Sequence, residues 1–399
     1  MTLAADEATL VAPIEPEPML ARTLAWAAVN SGTRNLAGLA TMADLLAEAF
    51  AELPGTVELV EPVPVEAVDA AGDVVEVPAG RHLVLRVRPQ AARRVLLTGH
   101  MDTVYPADHP FQACTWLDAT RLRGPGVLDM KAGIALMLTG LAAFEAGGPA
   151  LGYDVLINSD EETGSASSAA LIDALAQGKL AALTYEPALP GGAIARARPG
   201  SGNYAARIEG RAAHAGRNPE DGRNAIVAAG DLALRLARRR HPGLSVNPAK
   251  IDGGGPNNVV PALAVLRFNL RPRGPAETAE AEAMVHELAA DVAAEHDVAI
   301  TLHGGIGRPA KPVDAATERL FALVAGAAAD LGETLAWTDS GGVCDGNNIA
   351  RRGVPVIDTM GAVGDMIHSP EEWLDTASLV PKARLTALVL HRLDRGAAA

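Results

Sequence analysis

Three apolar runs in this chain each stop at an ionisable side chain. Arg93–Gly99 (RRVLLTG) ends at His100, Tyr153–Ser159 (YDVLINS) ends just before Glu161, and Leu180–Tyr185 (LAALTY) ends at Glu186. Runs this short and this apolar read as strands buried on both faces. Segments of helical spacing lie between them, Met130–Ala146 and about Ser167–Gln177. Strand–helix alternation of this kind predicts a mostly parallel α/β sheet. Open sheets of that type bind ligands beyond the carboxyl ends of their strands, where these acids and the imidazole fall.

The middle of the chain follows another pattern. Asn203–Glu209 alternates like a half-buried strand, and Asn224–Arg240 is an amphipathic helix. Leu244–Asp252 and Val259–Leu270 are strand-like, with a Gly253-Gly254-Gly255-Pro256 turn between them. Ala276–Glu295 is a helix rich in Ala and Glu, and Val298–His303 is a last strand. The order β-α-β-β-α-β is the ferredoxin-like pattern. The α/β pattern resumes near Lys311, with a helix near Ala316–Ala329, a strand Val354–Asp358, His368 and a closing helix. A chain of 399 residues suits two domains. The expected division is a large α/β domain in two segments, 1–197 and 309–399, with a module of residues 198–308 inserted. The Gly253–Gly255 run leads into a strand, not a helix, so it reads as hairpin chemistry and not as a phosphate loop.

A formal net charge of −14 with no long Lys/Arg run argues against nucleic acid and anionic membrane as partners. Arg238–Arg240 closes a helix pattern, where cations complement the dipole. The two cysteines, Cys114 and Cys344, stand in unrelated contexts and form neither a disulfide framework nor a CxxC site. The start, MTLAADEATLVAPIEPEP, is acidic and Pro-rich and does not read as a signal peptide. No apolar run is expected to span a bilayer, and a reducing, cytoplasmic setting is expected.

The polar residues at the strand ends carry the chemistry. His100 and Asp102 are two apart, so an extended chain puts both on one side; one ring nitrogen can bind a metal while Asp102 orients the other. Asp129 lies in GPGVLDMKAG, where two glycines flank a proline, and a carboxylate there can bridge two cations roughly 3.5–4 Å apart. Glu161 and Glu162 are adjacent in NSDEETGS and point in different directions, so one can bind metal while the other faces substrate. Glu186 lies in TYEP and His368 in MIHSPEE. Taken singly, these are a helix cap, an acidic helix start, a surface pair or loop residues. Taken together, two imidazoles and three carboxylates suit a pair of Zn²⁺-like ions.

In order and separation these strings resemble the M20 family of zinc amidohydrolases and exopeptidases, most of all its glutamate carboxypeptidase (carboxypeptidase G2-like) branch. The resemblance runs from about Arg93 past His368 and includes the inserted module. It implies a di-zinc exopeptidase catalytic domain carrying a ferredoxin-like lid and dimerisation domain. It implies that His100, Asp129, Glu162, Glu186 and His368 bind two Zn²⁺, with Co²⁺ or Mn²⁺ as substitutes and Asp129 bridging. Asp102 would be the partner of His100. Glu161 would be general base and then general acid. His214, in GRAAHAGRNP, would reach into the other subunit's site and stabilise an oxyanion, which calls for a homodimer. Asn258 in NNVVP and Arg308 in IGRPAKP would contact the substrate, Arg308 at its carboxylate, and the Ser340-Gly341-Gly342 loop would supply backbone groups beside it.

Some positions depart from the family pattern. Asp129 is followed by Met-Lys-Ala-Gly, where many members have Lys-Gly-Gly. ARARPGSG lacks a lysine that some glutamate-specific relatives carry, with Arg196 or Arg198 as candidates to replace it. Cys344 falls near the expected substrate pocket, but no base is indicated, so it reads as a buried or pocket-lining thiol. The implied activity is hydrolysis of an amide next to a free carboxylate, on a peptide or small molecule. The alternatives are an N-acyl-amino-acid deacylase of the acetylornithine or succinyl-diaminopimelate type, and a non-catalytic dimeric binding protein on the same fold.

Overall fold

The structure is a computed structural model and describes residues 3–397. Its main sheet has six strands in the order Thr56–Val60, His82–Val87, Gly152–Asn158, Arg94–His100, Ala181–Thr184 and Val356–Ile357. The last four run parallel to one another. The first two pair antiparallel and come from the N-terminal ninety residues, so the expected mostly parallel sheet is a mixed one. The central strands are buried on both faces, as their composition requires. Leu97, Val155, Ile157 and Leu183 face a core shared with the helices Ala132–Ala146 and Leu379–Asp394. Their neighbours Leu96, Leu156 and Ala182 face a second core with Ile172, Leu175 and Ile349. Each fully buried Val, Leu or Ile contributes roughly 1.5–3 kcal/mol, which pins the register that presents the strand ends.

Helix Ala132–Ala146 is apolar nearly all round because it is buried nearly all round. Gly133 lets it press against the strand end before Glu186, since a Cβ there would meet the Tyr185 carbonyl oxygen at 2.2 Å. One expectation needs correction. The helical run Val127–Ala146 is long and apolar enough to cross a bilayer, but 83% of the window lies inside the protein. Its hydropathy is that of a core helix.

The inserted module has the expected βαββαβ order. Its antiparallel sheet runs Leu244–Gly253, Leu263–Pro272, Ser201–Glu209, Ala299–Arg308. Helices Ala225–Arg238 and Pro275–His296 cover a separate core that includes Tyr204, Leu232, Leu266, Phe268 and Leu288. Asn224 starts the first helix by accepting hydrogen bonds from the Ile226 and Val227 amides. The strand expected from Val259 begins at Leu263, after Pro256 and Pro261, which have no N–H to give a ladder. The last strand runs on past His303 to Arg308. Where the chain enters and leaves the module, Arg198 and Lys311 pair backbone to backbone at 3.1 and 2.9 Å. Asn347 ties both crossings by donating to the Pro199 and Pro309 carbonyls at 2.8 Å each.

Candidate metal centre

The five residues singled out from the sequence converge beyond the carboxyl ends of the parallel strands. His100 ends its strand, with Nδ1 3.0 Å from the Asp102 carbonyl oxygen and 3.4 Å from the Asp102 carboxylate. A proton on Nδ1 given to that carbonyl leaves the Nε2 lone pair facing inward. His100 Nε2 lies 3.1 Å from Asp129 Oδ1 and 3.8 Å from Glu186 Oε2. On the other side, His368 Nε2 lies 3.3 Å from Asp129 Oδ2 and 3.2 Å from Glu162 Oε2. Asp129 therefore offers one oxygen to each histidine. Two groups result that could each hold a metal ion, His100–Asp129–Glu186 and Asp129–Glu162–His368, each with donor atoms within 4.8 Å of one another. The shared carboxylate is what a bridging ligand needs.

Local structure explains how each acid is aimed. Gly126, at φ 67°, opens an irregular turn over residues 127–131 in which Asp129 and Met130 are not helical, and their peptide bond is cis. This turn is held by a residue that escaped the sequence reading. Glu372 is 1% exposed, and its carboxylate accepts hydrogen bonds from the amides of Gly126, Leu128 and Asp129 at 3.1, 2.9 and 3.1 Å. Tyr105 Oη lies 2.9 Å from it and 2.7 Å from the Ser369 carbonyl oxygen. Glu372 sits four residues after His368, inside the MIHSPEE string, so it links the loops of two candidate ligands.

Asp102 anchors the adjacent glutamates. Its carboxylate accepts from the amides of Glu161 and Glu162 at 3.1 and 3.2 Å, and from Thr33 Oγ1 at 2.7 Å. The two glutamates then diverge, Glu162 towards His368 and Glu161 towards Arg308. Glu161 Oε1 is 2.8 Å from Arg308 Nη2, close enough for an ion pair but not aligned as a hydrogen bond.

The electrostatics favour a cation. Burial raises the Glu161 carboxyl to about 7 against the pull of Arg308, and burial with Asp129 nearby raises Glu162 to about 8. Burial lowers His100, but contacts with Asp102, Asp129 and Glu186 outweigh it and hold the ring well above the ordinary range. Hydrogen bonds to Asp129 and Glu162 push His368 up to about 11. Burial works against ionisation of Asp129, yet its two histidines keep it below the usual carboxylate range. The clustered acids are thus balanced by protons on the imidazoles. A divalent ion replaces those protons and frees both nitrogens as ligands.

A cavity of about 300 Å³ opens on this cluster, lined by Glu161, Glu162, Glu186 and His368 and by Leu128, Leu189, Arg198, Ser340, Gly342, Val343, Cys344 and Ile367. A larger hollow of about 450 Å³ lies around Arg94, Asp154 and Lys179, at the other end of the same strands, and contains none of the clustered residues.

The other expected site residues fall partly in this cavity and partly outside it. Gly342 lines the cavity, its carbonyl accepting from Arg198 Nη1 at 3.1 Å. Cys344 is buried with Sγ 3.6 Å from Asp358, and burial holds its thiol well above the ordinary range, so it is not a thiolate. Arg308 is buried and already engaged, donating to the Glu161 carbonyl at 3.0 Å and Ser165 Oγ at 2.7 Å and facing Asp345 at 3.3 Å. His214 and Asn258 are exposed neighbours on the inserted module, where the Ala215 amide donates to the Asn258 carbonyl. Neither lines the cavity.

Known proteins resemble this chain in sequence and in fold. The family model "Peptidase family M20/M25/M40" matches residues 96–392. Carboxypeptidase G2 of Pseudomonas sp. (strain RS-16) is 28% identical over 400 residues, covering 98% of this chain and 93% of that protein. Succinyl-diaminopimelate desuccinylase of Paracidovorax citrulli (strain AAC00-1) is 30% identical, covering 77% and 83%. A tripeptidase structure from Staphylococcus aureus superposes with TM-score 0.76 at 22% identity, covering 96% of this chain and 99% of that one, and so shares the fold. With these matches and a site of the kind described, the chain belongs to the M20 peptidase family and is a metal-dependent hydrolase.

Proposed function

We propose that this enzyme hydrolyses an amide next to a free carboxylate, as a carboxypeptidase of the glutamate carboxypeptidase type. The observation that carries the reading is Asp129, whose two oxygens face the two candidate triads, with Glu161 beside them on the cavity wall. His100, Asp129 and Glu186 would hold one Zn²⁺, and Asp129, Glu162 and His368 the other. Such ions lower the pKa of water and polarise a carbonyl. Glu161 takes the proton of the attacking water and returns it to the departing nitrogen. Burial, which disfavours its charged form, makes the Glu161 carboxylate a readier proton acceptor than an exposed one. Asp102 holds the backbone of Glu161 and Glu162 and, through its carbonyl, the His100 tautomer. Gly342 is assigned to a substrate contact by its place in the cavity, whereas Asn258, exposed on the inserted module, has no such support.

A homodimer through the inserted module, with His214 completing the partner's site, belongs to the same proposal. Support comes from helix Ala225–Arg238, where Val227 and Leu234 are 54% and 58% exposed and seven residues apart, hence on one face. A cytoplasmic setting is likewise proposed, in keeping with two unpaired cysteines.

A second reading, an N-acyl-amino-acid deacylase, is favoured by the desuccinylase among the relatives and uses the same centre. The discriminating experiment is a panel of N-acyl amino acids and C-terminal glutamate peptides, assayed after loading with Zn²⁺, Co²⁺ or Mn²⁺. A carboxypeptidase prefers the peptides, a deacylase the N-acyl amino acids, and inactivity on the whole panel defeats both readings.

A further inference from the structure

Asp102 is wholly buried and works in two directions. Its carbonyl faces His100 Nδ1, and its carboxylate holds the amides of Glu161 and Glu162. A buried carboxylate needs donors on both oxygens. Oδ1 has the Glu161 amide at 3.1 Å, and Oδ2 has the Glu162 amide at 3.2 Å. The shortest bond comes from far away in the sequence. Thr33 Oγ1 donates to Oδ2 at 2.7 Å. Thr33 is itself buried, and the Thr103 carbonyl, the other acceptor in reach, stands off at 3.5 Å. The hydroxyl hydrogen is therefore committed to Asp102.

The segment around Thr33 is fastened on several sides. It runs beside the chain that follows His100, where Gly32 and Thr103 form a parallel bridge. The Thr103 amide donates to the Ser31 carbonyl at 3.0 Å, and the Thr33 amide to the Thr103 carbonyl at 3.2 Å. Asn30 Nδ2 donates to the Tyr105 and Pro106 carbonyls at 3.2 Å each. The Val29 carbonyl accepts from Lys131 Nζ at 3.1 Å, two residues past Asp129. Residues 29–33 thus reach both the chain after His100 and the turn that carries Asp129, although the family match begins only at residue 96. A hydroxyl is also the right kind of donor. Lys or Arg would satisfy Asp102 too, but its charge would repel a cation held by His100 close by. A neutral hydroxyl fixes the carboxylate and leaves its negative charge in place.

We infer that Thr33 is a positioning residue of the metal centre and acts through Asp102. It fixes the carboxylate that holds the backbone of Glu161 and Glu162, and with it the stretch of chain that sets the His100 tautomer. The inference rests on the two-ion reading above, but one arm of its test needs neither metal nor substrate.

Thr33→Val removes the hydroxyl at nearly constant volume, and Thr33→Ser keeps it. In chelator-treated protein, hydrogen exchange at the Glu161 and Glu162 amides is about tenfold faster in Thr33→Val than in the wild type, and within about threefold of it in Thr33→Ser. Zn²⁺ affinity, read by competition with a chelating dye, falls about 10–100-fold in Thr33→Val and stays within about threefold in Thr33→Ser. Thr23→Val is the control. Its buried hydroxyl donates to the Met19 carbonyl at 2.8 Å and does not reach Asp102, so its loss leaves both readouts unchanged. If Thr33→Val does not fold, Thr33→Ala against Thr33→Ser decides. A wild type that binds no Zn²⁺ would defeat the two-ion reading and this inference together. Unchanged exchange and affinity in a folded Thr33→Val, or equal losses in Thr33→Ser or Thr23→Val, would overturn the inference alone.

Discussion

Replacing Glu372 by alanine tests how the bridging carboxylate is held. The substitution deprives three amides, those of Gly126, Leu128 and Asp129, of their acceptor at a site only 1% exposed. An orphaned buried amide costs about 1–3 kcal/mol, so three give roughly 3–9 kcal/mol. The deleted carboxyl leaves room for water to re-solvate some of them, and a buried charge is removed, so the low end, about 3–4 kcal/mol, is expected. Glu372→Gln keeps one acceptor oxygen and turns an amide donor towards one of the former partners, which puts its cost at roughly 1–2 kcal/mol. The assay is urea unfolding of chelator-treated protein, so that lost stability is separated from lost metal. Metal affinity is then measured on the folded variants. It falls in both, because the turn that aims Asp129 is loosened. A Glu372→Ala variant within 1 kcal/mol of wild type, or one with unchanged metal affinity, would refute the reasoning.

Three further outcomes follow. Glu161→Gln lowers kcat by about 10²–10⁴ while the metal content found by elemental analysis is unchanged; near-normal turnover would remove Glu161 from the chemistry. His214→Ala loses activity, and mixing it with Glu161→Gln restores part of it, as read from the rate of the mixture against each variant alone; no recovery would place His214 outside a shared site. Burial lowers the Lys382 ammonium to about 8 against an ordinary 10.5, with Glu333 as its opposing influence. The unfolded chain therefore binds that proton more strongly, and stability rises with pH between about 8 and 10.5, by about 3 kcal/mol from this group at about 1.4 kcal/mol per pH unit. Lys382→Met is expected to be more stable than wild type at pH 7 and to lose that advantage by pH 10.5; a pH-independent difference in urea midpoints would contradict it.

The catalytic side of the fold was legible because buried parallel strands advertise themselves. RRVLLTG, YDVLINS and LAALTY are apolar on both faces, and the residue after each run had to emerge at the sheet's carboxyl edge. The inserted module was legible for a similar reason, its helices and strands having distinct periods. The antiparallel edge strand Thr56–Val60 was not, since it is only half buried and its polar residues blur the pattern. Nor could sequence spacing reveal that the helix expected from Met130 starts at Ala132, after a turn whose shape depends on a carboxylate 243 residues further along, as the Asp129–Glu372 bond shows. Glu372 and the engagement of Arg308 by Glu161 are long-range contacts with no local signature. Neighbouring residues in MIHSPEE and NSDEETGS were singled out, but which side chain meets which is decided by the fold.

The shared Asp129 makes a stoichiometric claim that calorimetry can read. Chelator-treated wild type titrated with Zn²⁺ should bind two ions per chain. His100→Ala and His368→Ala should each retain one high-affinity site, and Asp129→Ala should weaken both. A single ion in the wild type, or an Asp129→Ala variant that keeps two ions at wild-type affinity, would contradict the two-ion centre.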